Sequence, residues 1–197
     1  ESGDVAFISQ SGGYGLQLYL RASSLGVGVG KFVSSGNESD LKGYEYLKYF
    51  GEDPDTKIIA MYIEGLKAGR KWYDEARKIT PEKPIVVIKV GVTEEGSKAA
   101  ASHTGSIAGS DQIYDAAFKQ AGVVRAQDAV EMFDYVKGLL YCDLPQGPNI
   151  GIVSNSGGVA VETADRLIQN GLKVPTLSDE AQEEILTVIP AFGNPAN

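Results

Sequence analysis

Five short apolar runs alternate with segments of helical periodicity over the first 141 residues, and no hairpin signal joins one run to the next. Val5-Ala-Phe-Ile8, Lys31-Phe-Val33, Ile58 to Ile63, Ile85-Val-Val-Ile88 and Val123-Val-Arg125 are of strand length and bounded by glycine, proline or polar turns. Helical segments are expected over about 14–24, about 40–50, 72–79, 111–120 and about 128–141. The first presents Leu16, Leu20 and Leu25 at helical spacing, the second starts at a Ser39 or Asp40 cap, and Asp128 caps the last. Gly122 stops the helix before it. Strands alternating with helices describe βαβ units, hence an α/β fold whose parallel sheet is covered by helices on both faces. With 43% apolar and 22% charged residues the chain can bury such a core.

One strand-to-helix turn occurs twice. Ile8-Ser-Gln-Ser-Gly-Gly13 aligns without gaps on Val153-Ser-Asn-Ser-Gly-Gly158. A helix N-terminus exposes unpaired N–H groups and the positive end of its dipole. Ser9, Gln10, Ser11, Gly12 and Gly13 therefore form one candidate phosphate-binding turn, and Ser154, Asn155, Ser156, Gly157 and Gly158 form another. The second copy follows a linker, Asp143-Leu-Pro-Gln-Gly-Pro148. This divides the chain into a first domain, 1–144, and a second, 149–197. The second holds one expected strand, Ile150 to Val153, a helix to about Asn170 stopped by Gly171, and a helix from an Asp179 cap to about Val188. It reads as the incomplete start of a similar domain.

His103, the single histidine, lies in a run of small residues between Lys98 and Asp111. An imidazole titrates near neutrality and can act as nucleophile, base or metal ligand. With no second histidine and no cysteine cluster, a metal site is not expected. Parallel sheets collect ligands at the carboxyl ends of their strands. Ser9 and Gln10, the turn with Ser35, Gly36 and Asn37, Glu64 and Lys89 all follow directly on expected strands, so they should cluster with the His103 loop above them. A carboxylate on one imidazole nitrogen fixes the tautomer and leaves the other nitrogen nucleophilic. Glu64 could fill that role, or it could simply favour the start of a helix through the dipole, and its position alone leaves both open. Two glycine-serine helix starts and one histidine point to a phosphate handled on an imidazole.

The net charge of −8, a pI near 4.7 and the lack of any Lys/Arg run disfavour nucleic-acid binding. The longest apolar runs are strand-length, so no membrane span is expected. The lone Cys142 excludes an intrachain disulfide and fits a reducing cytoplasm; its place near a helix end marks it as structural.

The combination of Gly3-Asp-Val-Ala-Phe-Ile-Ser-Gln-Ser-Gly-Gly13, Ser34-Ser-Gly-Asn37, Ser102-His-Thr-Gly-Ser-Ile-Ala-Gly109 and Asp115-Ala-Ala-Phe-Lys-Gln-Ala-Gly122 resembles the ADP-forming acyl-CoA synthetases of the succinyl-CoA synthetase superfamily, the archaeal acetyl-CoA synthetases in particular. The resemblance covers nearly the whole chain and implies a flavodoxin-like fold. It implies reversible conversion of acyl-CoA, ADP and phosphate to acid, CoA and ATP, with Mg²⁺ in the complete enzyme. His103 matches the histidine phosphorylated in that family, Glu64 the carboxylate supporting it, and the two glycine-serine turns the helix starts that hold the phosphate. The implied partners are a CoA-binding Rossmann domain upstream of residue 1 and an ATP-grasp domain or beta subunit, in an oligomer. Neither fits within these 197 residues, so the chain by itself is not expected to turn over. Asn194-Pro-Ala-Asn197 departs from the family's Asn-Pro-hydrophobic-Asp ending. Two other readings stay open: a regulatory synthetase-like domain of a protein acetyltransferase, and a non-catalytic flavodoxin-like binding module.

Overall fold

In the computed structural model, which describes residues 3–93, 95–96, 110–190 and 193–196, five parallel strands form one sheet. They are β1 (Val5–Ser9), β2 (Val29–Ser34), β3 (Ile58–Ile63), β4 (Ile85–Lys89) and β5 (Val124–Ala126), in the order β2-β1-β3-β4-β5. This is the flavodoxin-like order, with its switch point between β1 and β3. Every residue of β1, β3 and β4 is buried, which is why each is a continuous apolar run rather than an alternating one.

Between and after the strands lie α1 (Gly12–Ser24), α2 (Gly43–Glu52), α3 (Gly69–Ile79), α4 (Asp111–Gln120) and α5 (Ala129–Tyr141). The pleat sorts the core into two layers. Val5, Phe7, Ala60 and Val86 face Leu18 and Ala22 of α1 and Met132, Phe133 and Val136 of α5. Ala6, Ile8, Met61 and Val87 face Leu47 of α2, Trp72 and Ala76 of α3 and Phe118 of α4. Helices therefore cover both faces, as expected.

The buried stripe of α1 is Gly15, Leu18 and Ala22, while Leu16 and Leu20, expected to face the sheet, are more than half exposed. The cause is close approach: a Cβ on Gly15 would sit 2.6 Å from both Cβ and Oγ of Ser9, so small residues face the strand and the leucines turn outward. The start of α2 is also corrected. It begins at Gly43, not at a Ser39 or Asp40 cap, because the Glu38 carboxylate reaches five residues ahead to accept from Gly43 N at 3.0 Å. Asp128 does cap α5, accepting from the N–H groups of Val130 and Glu131. Gly122 ends α4 with φ 71°, a conformation that favours glycine. Cys142 is the C-cap residue of α5 and is exposed, so it adds nothing to the core.

The chain divides into two compact units, Glu1–Asp143 and Leu144–Asn197. The second contains α6 (Gly157–Gln169) and α7 (Asp179–Leu186). Ser178, not Asp179, caps α7, its side chain accepting from Ala181 N. The expected strand Ile150 to Val153 does not form. The segment makes one isolated parallel bridge, Asn149 with Lys173, and Val153 is fully exposed. Ile150 N donates to Lys173 O (2.8 Å) and Lys173 N to Pro148 O (2.8 Å), but the pairing does not extend into a strand among the described residues.

Candidate functional site

Ser9 ends β1 completely buried, and its Oγ donates to Ser11 O (2.7 Å) while accepting from Ser11 N (3.2 Å). That reciprocal pair bends the chain out of the sheet and places Ser11 as the N-cap of α1, where its side chain accepts from Tyr14 N. No acidic residue lies in the first turn of α1, so no carboxylate of the helix offsets the positive end of its dipole. A Cβ on Gly13 would meet nothing within 4 Å. Among the described residues nothing crowds Gly13, and the first N–H groups of the helix, which have no intrahelical acceptor, can reach an anion.

Gln10 has a different place from the one expected. Its backbone N–H donates to Tyr62 O (3.1 Å). Its Oε1 accepts from Glu64 N (2.6 Å) and Gly65 N (3.0 Å), and its Nε2 donates to Glu38 Oε1 (2.8 Å) and Gly65 O (2.7 Å). The side chain braces the turns after β1, β2 and β3 and has no capacity left for a phosphate. Ser35 and Asn37 also serve the frame: Ser35 N donates to Ser9 O (2.8 Å), and Asn37 O accepts from Lys67 Nζ (2.6 Å). Gly36 (φ 54°) and Glu38 (φ 49°) both take the left-handed conformation in that turn.

Glu64 follows β3 directly and is 8% exposed. Its Oε2 is buried with no hydrogen-bond partner among the described residues. Desolvating a carboxylate oxygen without a partner is costly, so this atom marks a place where another group belongs. Beside it, the Tyr62 phenol is pushed up to about 12, first by burial and then by the Glu64 charge. Lys89, at the end of β4, is 3% exposed. Its Nζ donates to Val90 O and lies 4.6 Å from the ring centre of Tyr114. Burial holds its pKa below the ordinary lysine value, while Asp111 and Glu64 oppose that and Arg125 adds to it. Tyr114 in turn accepts from Leu66 N through its hydroxyl (3.2 Å). Ser9, Gln10, Ser35, Glu64 and Lys89 thus share the carboxyl edge of the sheet. His103 and the rest of its loop through Gly109 lie outside the described residues.

The second turn reproduces the first. Ser154 Oγ donates to Ser156 O (2.9 Å) and accepts from Ser156 N (3.1 Å), and Ser156 is the N-cap of α6. Cβ atoms on Gly157 and Gly158 would meet nothing within 4 Å, and the first turn of α6 has no acidic residue. Ser156 differs from Ser11 in making no side-chain cap bond.

Glu38 and Tyr114 were not anticipated. Neither lies in a recognisable motif, and both act through tertiary contacts. A cavity of about 690 Å³ runs between α3 and α4, lined by Trp72, Tyr73, Ile113 and Phe118 among others. It is a groove between helices and meets the edge only near Leu66 and Tyr114. Among the described residues no group of three or more His, Cys, Asp or Glu side chains is placed to hold a metal ion. No helix among them is long and apolar enough to cross a membrane.

Comparison with known proteins agrees with this geometry. The chain is 42% identical to the Pyrococcus furiosus acetate–CoA ligase [ADP-forming] II subunit alpha, over 100% of this chain and 44% of that protein. It is 40% identical to the Methanocaldococcus jannaschii acetate–CoA ligase [ADP-forming], over 99% of this chain and 28% of that one. A solved structure described as a dinucleotide forming acetyl-coenzyme A synthetase 1 from Ca. Korarchaeum cryptofilum, in complex with phosphate and ADP, matches with a TM-score of 0.92 and 41% identity, covering 100% of this chain and 43% of its own. The chain spans less than half the length of these relatives. Residues 2–139, nearly all of the first unit, match the model of the succinyl-CoA ligase like flavodoxin domain. With that match over residues 2–139 and the flavodoxin-like strand order, the chain belongs to the family of succinyl-CoA ligase like flavodoxin domains.

Proposed function

We propose that this chain is the phosphoryl-carrying part of an ADP-forming acyl-CoA synthetase. In the reaction, acyl-CoA and phosphate give acyl phosphate and CoA. The acyl phosphate passes its phosphoryl group to a nitrogen of His103, releasing the acid, and phosphohistidine passes it to ADP, giving ATP and restoring the imidazole. Every step is reversible. The observation that carries this reading is the buried Oε2 of Glu64, unpartnered among the described residues, at the sheet edge that also holds the open N-terminus of α1.

Phosphoryl transfer depends on positioning and on oriented positive potential more than on covalent machinery. The N–H groups at the start of α1 supply that potential on a chain whose net charge is −8. Glu64 accepts from one His103 N–H, fixes the tautomer, and stabilises the cationic ring that carries the phosphoryl group. Acetate is the first acid to test, given the names of the relatives. A CoA-binding domain and an ATP-grasp domain or subunit complete the enzyme, in an oligomer in the cytoplasm, with Mg²⁺ carried by the nucleotide.

The test is labelling of the complete enzyme from γ-labelled ATP and Mg²⁺, wild type beside His103→Ala. Acid-labile, alkali-stable label in wild type alone is the expected result. Equal label in both moves the chemistry off His103. No label in a fully assembled enzyme favours a regulatory, non-catalytic domain.

A further inference from the structure

We infer that Gln10 is a positioning residue for Glu64: its side chain, itself set by Glu38, fixes the Glu64 turn in the geometry that phosphorylation of His103 requires. The inference rests on the function proposed above. Glu64 Oε2 has no partner among the described residues, whereas the backbone that carries the side chain is firmly held. Three consecutive N–H groups in that backbone are held by side chains from distant parts of the chain. Gln10 Oε1 takes those of Glu64 (2.6 Å) and Gly65 (3.0 Å), and the Tyr114 hydroxyl takes that of Leu66 (3.2 Å).

Gln10 can hold only one way up. Its amide uses two acceptor and two donor positions, all four within hydrogen-bond distance. A flipped amide would set its NH₂ against two backbone N–H groups. The Glu38 carboxylate, 4% exposed, enforces the orientation, because its Oε1 needs a donor and receives Gln10 Nε2. Its Oε2 accepts from Gly43 N at the start of α2, so the frame of the helix is transmitted to the turn. The chain of contacts runs from α2 through Glu38 and Gln10 to Glu64.

Charge exchange tests this without emptying the site. Gln10→Glu keeps the shape and both acceptors but sets a second carboxylate against Glu38. Adding Glu38→Gln restores one charge and one amide across the contact. The experiment is single-turnover phosphorylation of the complete enzyme by γ-labelled ATP, reading the rate constant and the final label separately. Displacement of a reacting group by about 1 Å can cost up to 100-fold in rate. Gln10→Glu is therefore expected to lower the rate constant about 10- to 100-fold, with half-saturating ATP unchanged and part of the loss recovered in the double variant, which restores the contact with residue 38 but not the donor to Gly65 O. A purely structural role would lower the final label while leaving the rate constant of the labelled fraction intact, and that result overturns the inference. So does an unchanged rate constant, or a double variant no faster than Gln10→Glu. Absence of label in wild type would remove the functional reading and this inference with it, whereas normal wild-type labelling with any of the preceding results removes this inference alone.

Discussion

Replacing Gly15 by alanine tests whether α1 rides on β1 as closely as the geometry requires. The new methyl would lie 2.6 Å from Cβ and Oγ of Ser9 and 3.1 Å from Cζ of Phe32. Carbon atoms in contact settle at about 3.5–4.0 Å, so the helix must retreat by about 1 Å. Ser9 cannot yield, since it is fully buried in a strand paired on both sides. Phe32 is constrained too, stacked on Phe7 at 5.9 Å between ring centres. Overpacking of this kind costs about 1–3 kcal/mol. Alanine recovers about 1 kcal/mol over glycine inside a helix, leaving a net loss of up to about 2 kcal/mol and a gap of about 1–3 kcal/mol from an uncrowded glycine-to-alanine change. Gly13→Ala is the control, because its Cβ meets nothing within 4 Å and it should be neutral or slightly stabilising. Urea unfolding followed by fluorescence of Trp72, the single tryptophan and part of the first unit's core, reports on that unit alone. If Gly15→Ala is as stable as Gly13→Ala, the close packing of α1 on Ser9 is wrong, and so is the account of why Leu16 and Leu20 face outward.

Asp128→Ala removes the acceptor for the N–H groups of Val130 (2.8 Å) and Glu131 (2.9 Å) and should cost about 1 kcal/mol in the same unfolding assay. Asp53 is held down to about 2 by hydrogen bonds from Lys31 and then Thr56, each at 2.5 Å. A carboxyl whose folded value lies below its ordinary 3.8 gives its full stabilisation above that value and loses it as pH falls toward about 2. Unfolding of wild type measured between about pH 5 and pH 2 should therefore slope more steeply than that of Asp53→Asn.

What was legible in the sequence was whatever the chain encodes locally. Fully buried parallel strands are unbroken apolar runs, so β1, β3 and β4 could be placed within a residue. The inner face of α1 was missed because close approach to Ser9 selects Gly15 beside Leu18 and Ala22, which leaves Leu16 and Leu20 on the outer face. Glu38 was overlooked beside Ser39 and Asp40, better caps by composition, because its φ of 49° and its reach to Gly43 depend on the folded turn. Gln10 looked like a phosphate ligand for lying in a glycine-serine turn, yet its partners are 28 to 55 residues away. Ile150 to Val153 has the composition of a strand, but its described pairing with the segment at Lys173 stops at a single bridge.

The two copies of the glycine-serine turn separate what five residues can build from what a fold must supply. The reciprocal bonds of Ser9 and Ser11 recur in Ser154 and Ser156 within 0.2 Å. In the first unit that turn follows a central strand, and in the second no strand among the described residues precedes it. The bonded geometry of the helix start is thus written into the turn itself, since it recurs where no described strand precedes it. Glu64 is the opposite case. Its apolar strand and following glycine would fit many loops, and only the pairing of β1 with β3 brings Gln10 within 2.6 Å of its N–H. The capped turn is accordingly a local property of this chain. The placement of the Glu64 carboxylate is a property of the sheet order, which is why the contact between the turns after β1 and β3 carries the function proposed above.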